Sequence, residues 1–204
     1  MFKKIKIKIK IKMILLLSQI FICVAFLQMS TLANAQNNTQ ANSATELQPV
    51  KTIPSIDVAR YLGTWYEIAK FPNWFQRKCL SGTNANYQLK EDGNVKVTNR
   101  CKVEGGEMAQ AIGTARQIGG ATSPKLEVRF APDWLAALPF VWGDYWVIDL
   151  DPQYQLAAVS DPRREYLWIL SRTPKVNQKS YDDLLQRLVA QQFDLSQLSF
   201  TPQD

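Results

Sequence analysis

The chain has 204 residues, with 24 Lys and Arg against 18 Asp and Glu, three cysteines and no histidine. Without histidine there is no Ser-His-Asp or Cys-His nucleophile machinery, and with no C-x-x-C spacing a metal site is not expected. The net charge of +6 is no argument for nucleic acid: six of the lysines stand in the first twelve residues, which leaves 18 basic against 18 acidic residues, and no basic patch with interleaved aromatics follows residue 36.

The basic start leads into an apolar run, Met13 to Leu27, broken only by Ser18 and Gln19, and then into Ala33-Asn34-Ala35. A basic head, a short apolar core and small residues at an A-x-A site describe a secretory signal peptide over residues 1–35. The run is too short and badly flanked for a spanning helix. Cys23 is the alternative processing point, where acylation would give an outer-membrane lipoprotein. Phe21-Ile22 before it are not the small residues such processing favours, so cleavage after Ala35 is the expectation. The mature protein is then exported, to the periplasm or outside the cell. Cys79 and Cys101 remain as an even pair in an oxidising compartment, which predicts a disulfide of about 3 kcal/mol.

Residues 36–53 are rich in Gln, Asn, Thr and Ala without apolar periodicity and read as a flexible leader; residues 54–204 read as one domain. Within it, short alternating segments predict eight strands: Gly63–Phe71, Thr83–Leu89, Asn94–Lys102, Met108–Ile118, Lys125–Ala131, Tyr145–Leu150, Tyr154–Ser160 and Tyr166–Arg172. Between them stand Glu91-Asp92-Gly93, Glu104-Gly105-Gly106, Gly119-Gly120, Asp151-Pro152 and Asp161-Pro162, all turn chemistry. The period then changes: Tyr181, Leu184, Leu185, Leu188 and Val189 recur at helical spacing, with Asn177 or Ser180 able to cap the start.

Gly63-Thr64-Trp65-Tyr66-Glu67-Ile68-Ala69 on the first strand and Tyr166-Leu167-Trp168-Ile169-Leu170-Ser171-Arg172-Thr173-Pro174 on the last resemble the paired motifs of the lipocalins, most closely the bacterial outer-membrane lipocalins and their apolipoprotein-D-like relatives. The resemblance covers roughly residues 56–200. The middle motif departs, with Leu150-Asp151-Pro152-Gln153-Tyr154 in its place. The resemblance implies an all-β fold, an eight-stranded antiparallel up-and-down barrel with one C-terminal helix packed outside. It implies a floor in which Arg172 stacks on Trp65 beside Gly63, and a loop after the first strand stapled at the open end by Cys79–Cys101.

By parity with ligand-holding members, the inward set is Ala85, Tyr87, Val95, Val97, Ala109, Ala111, Leu126, Val128, Phe130, Tyr145, Val147, Val159, Tyr166, Trp168 and Leu170, with Phe75 reaching in from the first loop. Apolar walls with a few tyrosine hydroxyls describe a site for one small lipophile, a fatty acid or lysophospholipid, without a cofactor. The competing reading, strongest for Trp168 and Val147, is that these side chains only fill a core. What is implied for bacterial relatives is lipid storage, transport or repair in a stressed envelope.

The uncharged segment Trp134-Leu135-Ala136-Ala137-Leu138-Pro139-Phe140-Val141-Trp142 is unusual for a rim loop. Trp134, Leu138, Phe140 and Trp142 would pack locally over the barrel, meet a second copy of the chain, or touch a membrane interface. Some family relatives are enzymes using a cysteine or paired carboxylates. A bonded cysteine pair is no nucleophile, Asp149, Asp151 and Asp161 flank turns, and nothing marks Glu67 as a general acid, so the chain is not expected to be an enzyme.

Overall fold

The structure is a computed structural model and describes residues 46–203. Its strands are β1 (Gly63–Lys70), β2 (Ser81–Leu89), β3 (Val95–Lys102), β4 (Met108–Gln117), β5 (Lys125–Arg129), β6 (Gly143–Leu150), β7 (Leu156–Ser160), β8 (Leu167–Ser171) and β9 (Ser199–Phe200). Neighbours in sequence pair antiparallel from β1 to β8, and β1 also pairs with β8, so eight strands close on themselves and leave no edge between them. The two-residue β9 adds to the outside of β1 at Ala69 and Lys70.

All eight predicted strands form; β2 and β6 begin two residues earlier than predicted, and the other six are shorter. Tyr154, placed in the seventh strand by its sequence, has φ 60° and belongs to the preceding turn, where the Asp151 carboxylate accepts from the N–H groups of Gln153 and Gln155. A short helix before the barrel, α1 (Val58–Tyr61), was not foreseen; Asp57 caps it by accepting from Arg60 N.

Two apolar clusters divide the interior. One lies between the barrel and α2 (Gln178–Ala190), capped by Asn177 accepting from Ser180 N. Tyr181, Leu184 and Leu188 are buried there against Ile148, Ala158 and Ile169, while Val189, expected on the same stripe, is 58% exposed because its turn faces solvent. Arg187 fixes the helix to β6 through a two-pronged pair with Asp149 at 2.6 and 3.0 Å. The second cluster fills the barrel's closed end and includes Trp65, Val147, Ala157 and Val159. A bulge in β1 between Glu67 and Ala69 breaks strict alternation, so three consecutive residues are buried: Glu67 toward the barrel, Ile68 and Ala69 in the helix-side cluster.

The signal-peptide reading of residues 1–35, Cys23 and the leader up to residue 45 lie outside the described residues. From Gln48 on, the expected leader is docked, not loose. Val50 is buried in the helix-side cluster, Ile53 N donates to Val147 O, and Gln48 N donates to the Gln192 side chain.

Candidate functional site

One end of the barrel is sealed. Trp65 is fully buried, and the Arg172 guanidinium lies 4.0 Å from the centre of its indole. Every arm of that guanidinium is used: Nε donates to Tyr154 O, Nη1 to Leu62 O and Thr64 O, and Nη2 to Arg60 O. Two of those carbonyls, Arg60 O and Leu62 O, come from α1 and its C-terminal flank, so α1 is part of the floor. Trp65 Nε1 donates to Tyr61 O at 2.8 Å. Gly63 takes φ +93°, and a β-carbon there would stand 3.3 Å from Arg172 Nη1, which explains the glycine. Tyr154 of the altered middle motif also joins the seal: its hydroxyl accepts from Asp57 N, and the Arg60 guanidinium lies 3.9 Å over its ring.

Above this floor is a cavity of about 840 Å³ that opens at the other end. It lies within the roughly 300–1,000 Å³ typical of small-molecule sites. Ala85, Tyr87, Val95, Val97, Ala109, Ala111, Leu126, Val128, Phe130, Tyr145, Tyr166, Trp168 and Leu170 line it, with Phe75 from the first loop. Val147 and Val159 do not follow the inward-lining expectation; both are fully buried in the closed-end cluster, where the barrel narrows around them. Trp168 is a wall residue, not core filling: it stacks on Tyr166 at 5.6 Å, and Phe75 leans on both rings.

Three hydroxyls meet at the base. Tyr145 Oη stands 2.9 Å from Tyr61 Oη and 2.9 Å from Tyr87 Oη. Burial pushes the Tyr87 phenol up to about 12 and raises those of Tyr61 and Tyr145 well above their ordinary value, so all three are neutral.

The mouth is built by loops. Cys79 and Cys101 form a disulfide with Cα atoms 5.4 Å apart, and both line the cavity, which ties the first loop to the end of β3. A polar network fixes the same loop from within. Gln76 donates to the Glu67 carboxylate and accepts from Trp168 Nε1, while Glu67 also accepts from Lys70 and Thr201. Glu67 is only 3% exposed, and this pairing makes it a tether. Thr83 lines the same region, and its hydroxyl finds no hydrogen-bond partner among the described residues.

The uncharged loop splits in two. Trp142 packs locally: its Nε1 donates to Ala136 O, and the Arg116 and Arg129 guanidiniums lie 4.0 and 5.2 Å from its ring. Phe140 and Trp142 line the mouth, and Leu138 is partly exposed. Trp134 and Phe140 are each 80% exposed, so the loop presents them outward and does not tuck them over the barrel.

Residues 56–203 match the model of the lipocalin-like domain. The chain belongs to the lipocalin family. It is similar to temperature-induced lipocalin-1 of Arabidopsis thaliana, 40% identical over 161 residues, spanning 78% of this chain and 86% of that protein. The outer membrane lipoprotein Blc of Escherichia coli is 37% identical over 163 residues, spanning 79% and 88%. Apolipoprotein D of Mus musculus is 31% identical over 156 residues, spanning 73% and 78%. Among solved structures, lobster apocrustacyanin A1 superposes with a TM-score of 0.57 at 12% identity, over 79% of this chain and 94% of that one. Insecticyanin of the tobacco hornworm gives 0.56 at 20% identity, over 74% and 83%. At these identities the two structures speak for the fold alone.

In this lipocalin several residues with a part in the site carried no signal in the sequence. Tyr61 lies in a four-residue helix, too short for periodicity to reveal. Gln76 and Thr83 are ordinary polar residues: Gln76 acts through Glu67, which stands two residues after Trp65 on the inward row of β1, and Thr83 lines the same cavity. Thr83 could have been found by extending the inward row Ala85–Tyr87 back by two residues.

Proposed function

We propose that this lipocalin is a non-enzymatic binding protein that holds one small lipophile, a fatty acid, lysophospholipid or similar amphiphile, in its barrel. The observation that carries the reading is the roughly 840 Å³ cavity, sealed below, open above and walled by Ala, Val, Leu and aromatic side chains. Burying about eight methylenes at ~0.8 kcal/mol each gives a gross gain of roughly 6 kcal/mol, enough for micromolar affinity once the mouth contributes polar contacts. Phe75, Ala85, Tyr87, Val97, Ala109, Ala111, Val128, Phe130, Tyr145, Tyr166 and Trp168 are the proposed ligand contacts. Native mass spectrometry should find a retained lipid, and a fluorescent fatty acid should be displaced by unlabelled lipid with micromolar midpoints. An empty barrel that takes up neither ends the proposal.

The signal-peptide pattern supports export, and the bacterial relatives, named outer membrane lipoproteins, support a place in the envelope; the role proposed there is lipid storage, transport or membrane maintenance under stress. The intact mass of the exported protein checks this: cleavage after Ala35 gives a free protein, acylation at Cys23 an anchored one.

The exposed Trp134 and Phe140 favour a second reading, in which the rim docks on a membrane surface to exchange ligand or on a second copy of the chain. Vesicle flotation should weaken in Trp134→Ser and Phe140→Ser, and a sizing column separates the dimer from the membrane outcome. Unchanged flotation and unchanged size together would remove this reading.

A further inference from the structure

We propose that the base of the cavity is a polar subsite in which the hydroxyls of Tyr61, Tyr87 and Tyr145 hold an uncharged oxygen, the ketone, ester or alcohol terminus of a lipophile that enters polar end first. The proposal rests on the barrel holding a lipophile and adds which end of it goes down and in what charge state.

Proton counting carries the argument. Three phenols bring three hydroxyl protons. Two hydrogen bonds join them, both through Tyr145 at 2.9 Å. Whichever way those two bonds point, one proton remains without an acceptor among the described residues. It lies against the cavity, because all three tyrosines line it. A buried donor without an acceptor is unfavourable, and an oxygen lone pair delivered by a ligand relieves it. The cluster cannot shift away from the ligand easily. The Tyr61 ring packs 4.8 Å from Trp65 and 5.8 Å from Tyr87, and its main-chain carbonyl holds the indole N–H.

Charge decides which oxygen fits. A carboxylate carried to the base would be desolvated without a cation to meet it. The near cation, Arg172, already gives its guanidinium to four main-chain carbonyls and lies against Trp65; neither residue is among those that line the cavity. The phenols themselves stay neutral through burial. The cations that do line the cavity, Lys78, Arg100 and Arg163, come from the loop after β1, the end of β3 and the loop after β7, all at the mouth. An anionic amphiphile therefore sits tail first with its charge at the rim, and a neutral one reverses.

The test compares a long-chain methyl ketone, tetradecanol and myristate on the full mature protein, by displacement of a fluorescent lipid. Any single replacement leaves a hydroxyl proton unpartnered, so all three tyrosines are replaced by phenylalanine; this should weaken the ketone and the alcohol about five- to tenfold more than it weakens myristate, the net worth of one hydrogen bond. Infrared spectra of the bound ketone in the unmodified protein should show the carbonyl stretch below its value in hydrocarbon solvent, and the triple variant should return it. If the triple variant does not fold, the stretch in the unmodified protein decides. A hydrocarbon-like stretch in the unmodified protein, or equal weakening of ketone and myristate, overturns the proposal. Binding of myristate alone overturns it while leaving the lipophile reading intact; binding of none of the three ends both.

Discussion

The two ends of this barrel are built on opposite principles. In the seal below the cavity Arg172 serves four carbonyls, Trp65 serves a fifth, and Tyr154 accepts from the cap residue of α1. At the mouth large apolar side chains face water, with Trp74 70% and Trp134 and Phe140 each 80% exposed. The seal concentrates stability where no ligand passes. The rim is tied down by a disulfide and one buried network and is otherwise left unfinished. A scaffold that is over-determined at one end tolerates a mouth whose own contacts are few, and function gathers in such regions.

Mutations should expose that division. Arg172→Ala removes a cation–π contact and strands four carbonyls, so it should cost about 3–4 kcal/mol, or roughly 10 °C in Tm, read by urea and thermal unfolding. The fraction that remains folded should keep its affinity for lipid. A stable Arg172→Ala protein that has lost binding would place the function at the wrong end. Replacing Cys79 and Cys101 by serine should cost about 3 kcal/mol in the chain-entropy model. Unlike the floor variant, it should also speed ligand release, because the first loop carries Phe75; stopped-flow dilution measures this.

Alkali should act from the base of the cavity. The folded pKa of Tyr87 is raised by burial to about 12 from an ordinary value near 10. A raised folded pKa means stability that is whole below about pH 10 and lost as pH climbs toward 12. For Tyr87 alone the loss is roughly 2–3 kcal/mol, measured as a falling urea midpoint over that window. A midpoint that is flat across it would show that the hydroxyl cluster is open to water. The smallest effect belongs to the rim. Trp134→Ser and Phe140→Ser should each move stability by no more than about 0.5 kcal/mol, since neither side chain is buried. A larger loss would mean that these rings are structural after all.

Much of the fold was legible in the chain. Alternation and turn residues gave the eight strands, helical spacing gave α2, and GTWYEIAKFP with YLWILSRTP gave the family and the Trp65–Arg172 pair. Parity found most of the cavity wall because a closed barrel must send alternate side chains inward. Val147 and Val159 also face inward as parity requires, but there the inside of the barrel is solid core and the cavity does not reach them. Glu67, two residues after Trp65, lies on the same inward row although its charge hides it among apolar neighbours, and parity was silent on Tyr61, whose place depends on a four-residue helix at the barrel end. The apolar loop was recognised as unusual, but its composition held no hint that Trp142 would be held by two arginines while Trp134 was left outside.

By itself, then, the sequence determined the strand count, the closing pair and the apolar character of the wall, because each is written in local period or in a motif. Only the tertiary structure decided how deep the cavity runs, which tyrosines meet at its base and which rim aromatics face water. Those outcomes depend on strand register, bulges and contacts between residues as far apart as Tyr61 and Tyr145, distances over which local pattern carries no information.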